Sequence, residues 1–268
     1  MSKRIVSYLV IILTATTLFF AGHFSFAKKS IEVKSNPKET IKFCDAFNKK
    51  IKKYYWGKIV CNPKTWYWEK EYITPGGYPL VYQVFENGTP KTTTLFFCGV
   101  HGDELTSAYF CIHLVRDMLF DYPPGYKNSR VVIAPLINPD GFFIKKPTRV
   151  NGRGVDLNRN FPTKDFDKKA LSQWKKKYRS NPRKYPGPHA GSEIETKFQM
   201  MMIDKFSPDK IVSVHSPYGW LDVDSPGPFS VSGDEPGTAM NFNKFLSKSK
   251  RIAKLMSKKS NNYRVINF

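Results

Sequence analysis

From Leu80 onward the chain alternates between two hydrophobic periods, and this alternation narrows its fold more than any other feature. Leu80–Phe85 and Thr93–Cys98 read as strands, with a turn predicted at Asn87-Gly88 between them. Asp103–Phe120 has helical spacing, with Leu105, Ala108, Cys111, Ile112, Val115 and Leu119 near one face. Arg130–Pro135 is a strand, and a long loop is predicted from there to about Ala190. Ser192–Phe206 reads as a helix opened by a capping box, with Ser192 as N-cap and Glu195 three residues on. Lys210–His215 is a strand, Thr238–Lys258 a basic helix, and Tyr263–Phe268 the start of a further strand. Strands interleaved with helices predict an α/β fold, a mixed, largely parallel central sheet flanked by helices. Ligands of such sheets bind beyond the carboxyl ends of strands, and His101 and His215 both occupy that kind of position.

The N-terminus reads as an export signal. Lys3 and Arg4 form a positive start, Ile5–Phe20 an apolar core, and Ser25-Phe26-Ala27 a small-residue cleavage site. The competing reading is a retained anchor, but the run falls short of the roughly 20 residues of a membrane span. The predicted organisation is a signal over residues 1–27, a basic, aromatic-rich segment over 28–75 and one domain over 76–268. No stable membrane anchor is expected after cleavage. Export places the protein in a bacterial periplasm or outside the cell. Removing the signal takes away Lys3 and Arg4 and no acidic residue, so the net charge falls from +21 to +19. So basic a chain implies a polyanionic neighbour. Export and the lack of a nucleic-acid-binding motif turn that expectation from nucleic acid toward an anionic cell wall. The Lys-rich stretches 164–184 and 244–259 read either as solvated surface or as wall-adhering surface.

In an oxidising compartment Cys44 and Cys61 are expected to pair, whereas Cys98 and Cys111 are expected to be buried thiols. The aromatics Tyr54-Tyr55-Trp56 and Trp66-Tyr67-Trp68 are expected to pack on the main domain, with a sugar-stacking surface as the alternative.

The chemistry lies in four motifs. His101-Gly-Asp-Glu104 offers an imidazole and a carboxylate three residues apart. Two imidazoles plus a carboxylate, with a fourth position open, suit a catalytic zinc ion. Alone the pair is a weak signal, because an acid at a helix start is favourable anyway. Asn138-Pro-Asp-Gly141 follows a strand and by itself is a good turn. The stretch Arg149–Pro162, RVNGRGVDLNRNFP, concentrates guanidiniums and amides in a loop without amphipathic period. Guanidinium forks bind both oxygens of a carboxylate. Last, His215 ends the run Ile211–Val214, where a core histidine is the plain alternative.

In this order the four motifs resemble the zinc carboxypeptidase superfamily of carboxypeptidases A and B, over about residues 75–235. Gly99-Val-His-Gly-Asp-Glu104, Gly191-Ser-Glu-Ile-Glu-Thr196 and the run from Val214 to Gly227 are most similar to bacterial murein peptide amidases. Those enzymes cut the bond between D-glutamate and meso-diaminopimelate in cell-wall peptides. The resemblance implies one zinc ion held by His101, Glu104 and His215. It implies that Arg149 polarises the scissile carbonyl, and that Asn158 and Arg159 hold the substrate's free carboxylate. It also implies a general-base glutamate on a late strand. After His215 the sequence offers only Glu235, in the turn-like Ser232–Gly237. Tyr263 is the only tyrosine beyond the last predicted helix, too early to match the family's substrate-covering tyrosine. The expectation is therefore a C-terminally shortened member, lacking the last strand and helix. Two other functions stay open: a catalytically dead, zinc-containing binder of peptidoglycan peptides, and a carboxypeptidase acting on protein C-termini.

Overall fold

The computed structural model describes residues 37–54, 61, 66–86, 88–120, 127–216, 220–222, 247, 250–258 and 264–266. The export signal, Tyr55, Trp56, Asn87, Glu235 and Tyr263 lie outside the described residues. So do residues 238–246, 248 and 249 of the predicted basic helix over Thr238–Lys258, of which 250–258 are helical.

Among the described residues, a five-stranded mixed sheet organises the fold. Its strands are β1 (Tyr67–Ile73), β2 (Pro79–Glu86), β3 (Thr92–Cys98), β4 (Ser129–Ala134) and β5 (Lys210–Val214), in the order β1-β2-β4-β3-β5. β3 runs parallel to both β4 and β5, whereas β2 is antiparallel to β1 and β4. The turn expected at Asn87-Gly88 therefore does not make a hairpin. β4 is inserted between β2 and β3, and it shields the apolar runs of both. β2 and β4 are buried along almost their whole length, as suits strands covered on both faces. β5 lies at an edge of this sheet and is half-exposed. A separate parallel pair joins β6 (Trp220–Asp222) to β7 (Arg264–Ile266).

Helix α2 (Leu105–Phe120) packs on the sheet through Ala108, Cys111, Ile112 and Val115 of the expected face, but its last turn buries Met118 and leaves Leu119 exposed, against expectation. The basic lead-in holds a helix that its charge concealed. In α1 (Pro37–Lys52) Phe43, Cys44, Phe47 and Ile51 recur with helical period and are buried. Phe47 stacks on Phe142 at 5.6 Å, and Trp66 packs edge-on against Phe43. Phe142 belongs to α3 (Pro139–Phe143), and Lys50 donates to the Ile144 carbonyl at the end of that helix.

Three further expectations need correction. The region read as one long loop contains α3 and also α4 (Phe166–Lys176). The helix predicted from Ser192 is α5 (Ile194–Phe206), and its capping box does not form. Ser192 instead donates to Glu193, and the Glu195 carboxylate accepts from Asn151. Cys44 pairs with Cys61 as expected, but Cys98 and Cys111 are also joined, across a Cα–Cα distance of 6.3 Å. The β3 end and the inner face of α2 bring those two thiols together, which sequence separation alone does not reveal.

Candidate metal centre

The site forms where β3 and β5 end. After β3 the chain turns at Gly99, and His101–Glu104 make the short loop that enters α2. Ser107, in the first turn of α2, accepts from the Gly99 amide at 2.8 Å and donates to the Val214 carbonyl. One hydroxyl thus ties together the ends of both strands that carry histidines. Backbone packing then fixes the loop against its neighbours. A Cβ on Gly102 would lie 2.2 Å from the Gly141 carbonyl carbon, and one on Gly141 would lie 2.5 Å from the Val150 oxygen. The histidine loop, the Asn138 turn and the arginine loop are therefore stacked backbone on backbone.

His101, Glu104 and His215 converge, with potential ligand atoms all within 4.8 Å of one another. His101 Nδ1 lies 2.7 Å from Glu104 Oε1, and His215 Nδ1 lies 2.8 Å from Oε2. Two imidazoles thus turn the same nitrogen toward one buried carboxylate, an arrangement that takes either a proton on each ring nitrogen or a cation between them. A dication between them satisfies all three groups, so the residues fit zinc. The rings are fixed from behind as well. His215 Nε2 is 3.1 Å from the Ser213 hydroxyl and 3.3 Å from Asn158 Nδ2. His101 Nε2 is buried without a hydrogen bond, 3.4 Å from Asp156 Oδ1. Burial pushes the Glu104 carboxyl up, but hydrogen bonds from the two histidines outweigh it and hold the pKa at about 2. Asp156 behaves alike: burial raises it, and His101 and Arg149 bring it down to about 2.

Arg149 is buried beside the triad. Its Nε and Nη2 bind the two oxygens of Asp156 at 2.9 and 3.3 Å, while Nη1 reaches within 3.3 Å of His101 Nδ1. Its backbone carbonyl accepts from Asn138, whose own Oδ1 caps α3 at Gly141. The Leu157–Arg159 turn, capped by Asp156 at the Asn158 amide, presents Asn158 next to His215, while the Arg159 guanidinium donates to the Asn158 carbonyl and lies over the Tyr178 ring. The structure therefore gathers all six predicted residues in one region. It adds Asp156, Asn138 and Ser107, which hold the others in place. Asp156 and Asn138 lay inside motifs already singled out, whereas nothing in the helix pattern marked Ser107.

Beneath the loop sits a buried acidic group. Asn151 Nδ2 donates to both Glu193 and Glu195, at 2.8 and 3.1 Å, and Asp140 accepts from Thr74 and Gly76. Glu195 is fully buried, and its Oε1 has no partner. Burial raises its pKa to about 7, against the opposing bond from Asn151 and with help from Asp140 and Glu193.

Residues 56–261 match the zinc carboxypeptidase family. The chain belongs to that family. Among its relatives, murein peptide amidase A of Escherichia coli is 30% identical over 134 residues, which are 49% of this chain and 52% of the relative. The chain thus spans about half the length of that relative. Two solved structures share the zinc carboxypeptidase fold. Bovine thrombin-activatable fibrinolysis inhibitor, bound to a tick carboxypeptidase inhibitor, aligns with a TM-score of 0.55 at 19% identity, over 88% of this chain and 76% of its own. Carboxypeptidase A from Helicoverpa armigera aligns with a TM-score of 0.55 at 18% identity, over 82% and 54%.

Proposed function

We propose that this chain is an exported zinc peptidase that recognises peptides ending in a free carboxylate and acts on cell-wall peptides at a D-glutamyl–diaminopimelate bond. The convergence of His101, Glu104 and His215 beside Arg149 carries this reading. Those three residues would hold the ion. When bound, zinc supplies Lewis acidity and lowers the pKa of water toward about 7. Asp156 grips one edge of the Arg149 guanidinium and aims the remaining N–H groups at the centre. There they would polarise the scissile carbonyl and stabilise the oxyanion. Asn158 and Arg159 would hold the free carboxylate of the substrate. The kinship with murein peptide amidase A and the excess of basic residues support a wall peptide as substrate, an anionic wall as neighbour and a periplasmic or extracellular setting.

A second reading, a zinc-containing binder without turnover, rests on the carboxylates present. Among the described residues, Glu104 and Asp156 at the centre are both already engaged in hydrogen bonds. Incubating the zinc-loaded protein with a D-glutamyl–diaminopimelate peptide separates the readings. Release of free diaminopimelate supports the peptidase, and saturable binding without release supports the binder. A protein that neither takes up one zinc per chain nor binds the peptide overturns both.

A further inference from the structure

The last registered pair between β3 and β5 is Cys98 with Val214. Beyond that pair the two sides of the β3 end differ. Toward β4 the main chain goes on bonding directly: Ile137 N–H donates to the Cys98 carbonyl and Asn138 N–H to the Gly99 carbonyl, both at 2.9 Å. Toward β5 a side chain is inserted. The Gly99 N–H donates to the Ser107 hydroxyl, and that hydroxyl donates in turn to the Val214 carbonyl. A direct rung would bring nitrogen and oxygen to about 2.9 Å. With an oxygen atom between them, the two strand ends stand wider apart than a direct rung allows.

This widening falls where the ligands leave their strands. Val214 immediately precedes His215, and His101 lies two residues past Gly99. The Glu104 carboxylate spans the opened end. Its Oε1 lies beside His101, while Oε2 lies beside His215 and accepts from the Ser216 amide at 3.1 Å. Ser107 itself is firmly held. It is buried in the first turn of α2, and one turn further on Cys111 of the same helix is joined to Cys98. Helix α2 therefore grips the end of β3 at two neighbouring points. With the hydroxyl fixed relative to β3, what it sets is the place of Val214, and hence of His215.

We propose that Ser107 is a positioning residue of the metal centre, its hydroxyl spacing the ends of β3 and β5 so that His215 meets an ion held by His101 and Glu104. This rests on the reading of those three residues as zinc ligands. Alanine at position 107 leaves two buried main-chain groups with two outcomes. They stay unpaired, at the cost of a desolvated donor and acceptor, or they close on each other and draw His215 toward β3. Either way the ligands remain and their spacing is lost.

The test is zinc affinity, read by competition with a chelator, together with the visible absorption of the cobalt(II)-loaded protein, which reports ligand geometry. Ser107→Ala should lower zinc affinity about tenfold, the lower end of what loss of a group that orients metal ligands costs, and should alter the cobalt spectrum. Ser107→Thr keeps the hydroxyl and should recover most of the affinity and the original spectrum. Val115→Ala loosens α2 on the same face without touching the rung, so it should cost stability and leave zinc affinity unchanged. Unchanged affinity in Ser107→Ala, or an equal loss in Val115→Ala, would overturn the proposal while leaving the zinc reading intact. An unaltered protein that takes up no zinc would overturn both. A measurement that needs no variant guards against a Ser107→Ala protein that does not fold. In the zinc-free, unaltered protein the Gly99 amide should exchange its hydrogen as slowly as the amides of β3, and exchange at the rate of an exposed loop would show that the rung is absent.

Discussion

Residues 138–160 and residues 161–184 adjoin the same centre, yet they are built on opposite principles. In the first stretch Asn138, Asn151, Asp156 and Asn160 are all 3% exposed or less, and each side chain is hydrogen-bonded. In the second, α4 buries only Phe166 and presents its lysines to solvent. A desolvated polar group must be paired, so its geometry is fixed by its partners. A solvated lysine is free to move and contributes charge rather than shape. The first stretch thus holds the chemistry in place, and the second sets the field in front of it.

Cutting the buried side should produce the largest losses. Asp156→Ala leaves the Arg149 guanidinium buried and unpaired, and about 3–5 kcal/mol of stability should go with it in urea unfolding. A loss below 1 kcal/mol would mean that the pair is not the anchor described above. The milder Asp156→Asn should lower zinc affinity about 10–100-fold, read by competition with a chelator.

Next comes pH. Glu195 has a folded pKa of about 7 against an ordinary value of 4.5, so the native state holds a proton that the unfolded chain releases. Its stabilising contribution is complete below about pH 4.5 and is lost as pH rises through about 7. The loss is about 3 kcal/mol by linkage. Glu195→Gln should flatten that part of the stability curve. Parallel curves for the two proteins would show that Glu195 is not the group responsible.

Asn160→Ala should cost less, about 2 kcal/mol. It removes the bonds to Pro186, His189 and Ser192 and the acceptor for the Glu193 amide, some of which water replaces. Smallest of all, Lys176→Gln on the exposed face of α4 should change stability by no more than about 0.5 kcal/mol. A larger effect there would erase the contrast between the two stretches.

The same contrast explains which parts were legible beforehand. The buried polar loop declared itself, because glycines, amides and arginines without hydrophobic period have few uses other than a fixed network, and their order matched a known family. The α/β class followed from the two periods. Strand order did not, because a two-residue signal at Asn87-Gly88 reports local turn chemistry and carries no information about β4, inserted from over 40 residues downstream. Helix α4 was hidden because its packing face is only Phe166, Ala170 and Trp174 within a lysine-rich run. Helix α1 was hidden by the same charge, although Phe43, Phe47 and Ile51 were in register for it. Ser192 and Glu195 had the right spacing for a cap, but buried amides competed for both and won.

The contact at Gly102 has one further consequence. Its missing side chain is the clearance within which the histidine loop rests on Gly141, with main chain rather than a yielding side chain on the far side. No rotamer change can make room for even a methyl group, so alanine at this position must lift the loop bodily and carry His101 and Glu104 away from His215. Among the glycines around the centre, Gly102 comes closest to neighbouring main chain, so the smallest chemical change, one methyl group, acts directly on the triad. A chain drifting away from metal dependence could lose its ion here while keeping every ligand.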